Sequence, residues 1–308
     1  MSLKLAAHYD NLYKSAALIN LTRKQLLFKN DEISFDMILG DNIRYNLDYF
    51  IDKGYYWSVG IQSRYNTFGK DVNAQLYLND LGLSETGINE IDVDFADFTN
   101  QIYLQTLLKK SYALSIGAEH KFLKIKSGTL LNEGTENDLI FEKTNYFSLF
   151  GNLKLDTYDN KYFPSKGIYF SGDFHTYLFA SDFNENFEGF SIAKADMGYA
   201  FSVSDKLAFD VQAAGGFKLG SNSTSSLDFV LGGYGNNLIN NFIPFIGYDF
   251  ISLPSNSFIK GTLILDYEIF NKQHLTLEGN WANLDKDIFE SGEWLTAPTY
   301  SGYGIGYA

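Results

Sequence analysis

Apolar and polar side chains alternate with a period of two along nearly the whole chain. Phe147, Leu149, Leu153 and Leu155 alternate with Ser148, Asn152, Lys154 and Asp156. A turn rich in breakers follows, Asp159-Asn160-Lys161-Tyr162-Phe163-Pro164-Ser165-Lys166-Gly167. Beyond it Ile168, Phe170, Phe174 and Leu178 alternate with Tyr169, Ser171, Asp173 and His175. Alternation on both sides of a turn predicts strand, turn and strand, with one apolar, aromatic face and one polar face.

The same rhythm predicts strands from the first residues onward. Leu3, Leu5, Ala7 and Tyr9 oppose Lys4, Ala6 and His8; Ile33, Phe35, Met37 and Leu39 oppose Ser34 and Asp36. Asp52-Lys53-Gly54 is a tight hairpin signal. Residues 69–97 turn acidic and predict one long solvated loop, with a short element at 74–83, and residues 132–138 predict a second polar loop. Strands resume at 101–108, 112–126, 193–203, 207–219, 258–270 and 274–284. Residues 220–250 differ: they contain no Lys or Arg and include Phe229-Val230-Leu231-Gly232-Gly233 and Ile243-Pro244-Phe245. A loop over 285–298 leads into Ser301-Gly302-Tyr303-Gly304-Ile305-Gly306-Tyr307.

The count is about fourteen strands of roughly 9–13 residues, the length that crosses a bilayer when tilted. Short turns such as Ser204-Asp205-Lys206 and Asn271-Lys272-Gln273 alternate with long connections, as in an outer-membrane barrel. Composition sharpens this. Aromatics reach 17% while mean hydropathy is only -0.16, so the apolar groups must be spread by alternation rather than gathered in runs. No apolar stretch approaches the ~20 residues of a membrane helix, and barrels give no such signal. Soluble all-β strands average nearer ~5–6 residues, which favours the membrane barrel over a soluble sandwich. The expected fold is therefore all-β: one transmembrane antiparallel β-barrel domain over residues 1–308. A formal charge of -13 argues against nucleic acid, and the absence of cysteine removes disulfides and thiolate metal sites. The opening Met1-Ser2-Leu3-Lys4-Leu5 lacks the apolar h-region of a signal peptide.

Two stretches resemble a known family. The D-x-x-x-F-P-x-x-G turn, here Asp159, Phe163, Pro164 and Gly167, resembles that of the BamA-type outer-membrane surface-antigen superfamily. Phe229 to Gly233 is similar to the F-x-L-G-G segment that opens that superfamily's sixth extracellular loop, and Glu268 to the acidic residue on its twelfth strand. The opening strands and the ending SGYGIGY resemble the C-terminal barrel of patatin-like phospholipases from Gram-negative bacteria. The resemblance implies a sixteen-strand barrel in the cell outer membrane, with lipid and lipopolysaccharide around it and a passenger domain upstream. It also implies that a C-terminal hairpin is missing, which would leave an open seam between residues 3–10 and 303–308. Where the family's sixth loop carries an R-G-F/Y element, Tyr234-Gly235-Asn236-Asn237 stands here and no Arg is available. This predicts that the loop folds into the lumen, held by packing and amide hydrogen bonds.

Chemistry is sparse. No G-x-S-x-G nucleophile elbow occurs, so no catalytic residue is assigned. The histidines, His8, His120, His175 and His274, fall on separate strands without metal-ligand spacing, so neither a metal site nor a cofactor is expected. Gly302-Tyr303-Gly304-Ile305-Gly306 precedes no helix and reads as strand glycine rather than a nucleotide loop. Asp266 and Glu268 share a strand face and are expected to pair with Lys260 or Lys218. Along the strands, Ile168, Phe170, Phe174, Leu207, Phe209, Val211, Leu263 and Leu265 are expected to face lipid. Asp173, His175, Asp210, Gln212 and Glu268 are expected to face the lumen. The leading function is a barrel that anchors, and helps translocate or display, an N-terminal patatin-like lipase passenger, with no enzyme in this chain. The alternatives are a protein or lipid translocation and assembly barrel of the same superfamily, or a soluble all-β binding protein.

Overall fold

The computed structural model describes all residues except 11, 13, 55, 75–88, 109–110, 132–137, 182–186, 221–224 and 235–240. Eleven strands come first: β1 (Ser2–Asp10), β2 (Lys14–Lys24), β3 (Asp31–Gly40), β4 (Arg44–Ile51), β5 (Ser58–Asn73), β6 (Glu90–Leu108), β7 (Tyr112–Leu131), β8 (Asp138–Asp156), β9 (Gly167–Ala180), β10 (Phe190–Ser204) and β11 (Leu207–Gly220). Three short strands follow, β12 (Phe229–Leu231), β13 (Phe242–Ile243) and β14 (Leu253–Ser255). The last three long strands are β15 (Ser257–Phe270), β16 (Gln273–Leu284) and β17 (Tyr300–Tyr307), with a short helix, Asp285–Phe289, between the final two. The fourteen long strands form one sheet in sequence order, and β13-β12-β14 form a second. The expected number of wall strands is thus observed among the described residues.

The chain divides into two compact units, the first holding Met1–Thr106, Ser115–Phe150 and Thr176–Gly189. Its strands are longer than the pattern predicted. β5 and β6 stay in register from Ser58↔Gln105 to Asn73↔Glu90, so residues 69–73 and 90–97 are paired strand and not a solvated loop. Residues 75–88, which hold most of the expected short element, lie outside the described residues, as do 132–137 of the second polar loop. The alternation was present all along: Phe68, Val72, Ile91, Val93 and Phe95 are buried on one face while Asp92 and Asp94 take the other. Phe68 and Phe95 stack with centroids 4.8 Å apart. Further along the same face the covered groups become polar. Lys121 Nζ sits 2.9 Å from Asp97, Thr99 Oγ1 donates to Asp97 at 2.6 Å, and Gln101 Nε2 donates to Glu119. Buried charges persist when paired and hydrogen-bonded in this way.

The second unit comprises Leu107–Leu114, Gly151–His175 and Phe190–Ala308. Its ladder β10-β11-β15-β16-β17 is antiparallel throughout. One face of it is exposed and apolar: Met197, Tyr199, Val211, Leu263, Leu277, Tyr303 and Ile305 project freely. Tyr199, Phe201 and Phe209 form a stacked aromatic row across β10 and β11 there. The other face carries Asp210, Thr262 and Asn280, all buried, and its Phe258 and Ala282 lie against Phe229, Leu231, Ile243 and Phe245.

Candidate functional site

The segment that covers this inner face is fixed by its own glycines and by the wall. Gly232 and Gly233 adopt positive φ of 144° and 66°, conformations L side chains rarely take. A Cβ at Gly233 would also strike the Phe250 ring. The turn they make returns the chain so that β12 pairs with both β13 and β14. Phe229, Leu231, Ile243 and Phe245 then bury against Phe258 and Ala282 of the wall. Phe229 meets Phe258 edge-on at 4.9 Å, an arrangement the ring quadrupoles favour.

Polar anchors complete the seat. Asn280 on β16 is fully buried; its Oδ1 accepts Ile246 N–H at 2.8 Å, and its Nδ2 donates to Ile246 O at 3.1 Å and Gly302 O at 3.2 Å. Lys260 Nζ donates to Pro244 O at 2.7 Å, and Lys218 forms an ion pair with Asp228. The expected packing and amide hydrogen bonds are present, but charge-assisted contacts from the two lysines join them. The region 235–240, where the family's Arg element would fall, lies outside the described residues. On β17, Tyr303, Ile305 and Tyr307 point outward, so Gly302 and Gly304 form the inner surface. Ile246 occupies the space that a side chain at either glycine would fill.

The D-x-x-x-F-P-x-x-G turn closes the other end of the same unit. The Asp159 carboxylate accepts Ser165 N–H at 2.8 Å, Ser165 Oγ at 2.5 Å and Lys166 N–H at 3.1 Å. Burial raises its pKa, but these hydrogen bonds outweigh it and hold the carboxyl below its ordinary range. Phe163 stacks flat on His274 with centroids 3.9 Å apart, and His274 Nδ1 lies 2.9 Å from Asp266. Tyr158 OH donates to Asp210 at 2.8 Å, and Gln212 Nε2 donates to the same carboxylate at 2.7 Å. Burial, then this bond to Asp210, raises the Tyr158 hydroxyl's pKa. A cavity of about 150 Å³ remains between the turn and the wall, lined by Tyr158, Phe163, Asp210, Gln212, Asp266 and Thr276 among others.

The facing predicted from alternation agrees with exposure at six positions, while Phe170, Leu207, Phe209, Leu265, Asp173, Gln212 and Glu268 are half-buried. Ile168, Phe174, Val211 and Leu263 are exposed, while His175 and Asp210 are buried. The pairing predicted for the β15 carboxylates is corrected: Asp266 pairs with His274 and Glu268 Oε1 accepts Lys272 N–H, because Lys260 and Lys218 are drawn to the covering segment. Of the histidines, His175 pairs with Asp173 at 3.1 Å, and His120 bridges Asn100 and Asn145 on the first unit. The His8 side chain is outside the described set. Among the described residues no cluster of His, Asp or Glu could hold a metal ion. No helix among the described residues is long and apolar enough to cross a membrane.

Long antiparallel strands with an aromatic outer face, a polar inner face and an inserted segment define a membrane β-barrel of the outer-membrane type. The description "OMP85 superfamily" matches residues 1–308, and the chain belongs to that superfamily. It is an outer-membrane β-barrel. Solved barrels share its fold. BamA from Haemophilus ducreyi lacking POTRA domains 1-3 matches at a TM-score of 0.65 and 10% identity, over 99% of this chain and 68% of that one. CdiB from Acinetobacter baumannii matches at 0.55 and 13%, over 99% of this chain. CdiB from Escherichia coli matches at 0.56 and 11%, over 91% of this chain. This chain spans 52% and 57% of those two CdiB chains. No curated protein sequence matches it.

Proposed function

We propose that this chain is the non-enzymatic barrel of an outer-membrane machine that moves or inserts polypeptide, with residues 225–255 acting as a seated plug. The observation that carries this reading is the plug itself. Among the described residues Phe229, Leu231, Ile243 and Phe245 seat against Phe258 and Ala282 of the wall, and Asn280, Lys260 and Lys218 are among the groups that tether the segment. The insert forms its own three-stranded sheet, separate from the wall, so it can leave its seat without breaking the wall's ladder. Membership of the OMP85 superfamily and the shared fold with BamA and CdiB support the same class of function.

An unfolded polypeptide supplied outside vesicles containing the purified chain tests the proposal. The expected result is protease-protected polypeptide in the vesicles, or its folded insertion into the bilayer, above the level of empty vesicles. Equal levels would refute the reading. Anchoring of an N-terminal patatin-like lipase is the second reading, favoured by the resemblance of the opening strands and of SGYGIGY alone. A lipase encoded upstream together with equal levels in the vesicle assay would favour it.

A further inference from the structure

The connection between β16 and β17 folds down over the outer surface of the wall. Asn283 lies in the outward row of β16 with Leu277 and Trp281, yet it is fully buried. Its Nδ2 donates to Trp294 O at 2.7 Å and Ala297 O at 3.2 Å and contacts Glu293 O, while its Oδ1 accepts Thr299 N–H at 2.6 Å. Asp285 Oδ1 accepts both Ser257 N–H and Ser257 Oγ at 2.9 Å, and Leu295 lies over Gly261 on the outward row of β15. The connection is therefore a flap fixed to a buried amide whose nitrogen donates and whose oxygen accepts within it.

Between flap and wall runs an apolar groove of about 960 Å³. Its floor is widened by the small outward residues Ala195, Ala213 and Gly215; its lip is made by Ile288, Phe289 and Trp294. Phe289 and Trp294 are 70% and 57% exposed. The groove continues the exposed band of Met197, Val211 and Leu263, the surface an outer-membrane barrel turns to lipid. It lies at the long-loop end of the strands, the extracellular end, so the facing lipid is that of the outer leaflet. The floor from Ala213 to Leu219 extends about 20 Å, against roughly 15 Å for one leaflet of the hydrocarbon core. Lys218, at its edge, is already paired with Asp228, and the other ionisable groups among its lining residues are the carboxylates of Asp285 and Glu290. Such a lining recognises hydrocarbon and offers nothing for a phosphate.

We infer that this groove is a binding site for one acyl chain of an outer-leaflet lipid, clamped between the flap and β10, β11 and β15. The test uses the full chain in vesicles of phosphatidylethanolamine and phosphatidylglycerol, with phosphatidylglycerol carrying a nitroxide at mid-chain as the probe. A strongly immobilised lipid population of stoichiometric size is expected in the spin-resonance spectrum. Gly215→Phe fills the groove from its floor, where a Cβ meets nothing closer than 3.4 Å. It should lower that population roughly tenfold, whereas Ala118→Phe on the exposed row of β7 should leave it unchanged. Heat-modifiable gel mobility reports whether each variant has folded. If Gly215→Phe fails to fold, Trp294→Ser removes the lip while keeping the backbone carbonyl that Asn283 uses, and should give the same loss. No immobilised population, or one that persists in the folded groove variants, overturns the inference. Immobilised lipid lost equally in Ala118→Phe would do so too, because it would show ordinary boundary lipid.

Discussion

Asn280→Ala should release the plug, and the size of the effect follows from its contacts. Two hydrogen bonds to the plug, of 2.8 and 3.1 Å to Ile246, vanish together, at about 0.5–1.5 kcal/mol net for each neutral bond. Ile246 N–H and C=O are left without that partner, and stranded groups of this kind cost about 1–3 kcal/mol. Water reaching the loosened turn recovers part of this, leaving roughly 2–4 kcal/mol. The apolar seat opposes release, since Phe229, Leu231, Ile243 and Phe245 each gain about 1.5–3 kcal/mol from burial before ordering costs are subtracted. The population of released plug should therefore rise roughly 30- to 1,000-fold without the barrel unfolding. Because the chain contains no cysteine, Ile243→Cys, buried at the centre of the seat, supplies a single reporter thiol. Its reaction rate with a water-soluble maleimide, in bilayers, follows the released fraction. A change of less than about threefold on adding Asn280→Ala would show that the amide does not hold the plug.

Three further outcomes are expected. Val211→Lys, on the exposed face of β11 and near the middle of its outward row, should destabilise the inserted barrel by about 2–4 kcal/mol in a denaturant titration, and a cost below about 1 kcal/mol would place it outside the hydrocarbon. Gly302→Val puts a side chain where Ile246 O sits, so it should speed Ile243→Cys labelling as Asn280→Ala does; unchanged labelling would mean the plug does not need β17. Asp159 has its carboxyl lowered in the folded turn, so its contribution is present above the unfolded value of about 3.9 and is lost as pH falls through the folded one. A spin label at Lys161→Cys should therefore gain mobility only in acid, while Asp159→Asn should give that mobility at all pH values.

The wall was legible because a side-chain period of two leaves its mark at every outward position. Val211, Leu263 and Ile168 could be placed before any coordinates. The rule misled at residues 90–97, where Asp92 and Asp94 take the outward places and Ile91, Val93 and Phe95 the inner ones. Acid on the outer face reads as loop, although a strand prolonged beyond the membrane needs water-facing groups there. The plug was legible from its apolar centre in a stretch without Lys or Arg. Its anchors were not. Asn280 and Ile246 are 34 positions apart, and nothing in a lone strand asparagine announces a partner. The stack of Phe163 on His274 joins a turn to a strand far away in sequence, and only the fold brings them together. The glycines of SGYGIGY were visible as strand glycines, but the loop that fills their space was not.

Ion conductance across a planar bilayer tests the plugged-conduit account most directly. The chain is compared with a variant in which residues 229–245 are replaced by a short Gly-Ser linker, both shown to be folded by heat-modifiable gel mobility. The account predicts that the intact chain is closed apart from brief openings, and that the variant shows a large, steady conductance. Equal conductance from the two folded proteins would contradict it, because the covered inner face would then not be a pathway that residues 225–255 close.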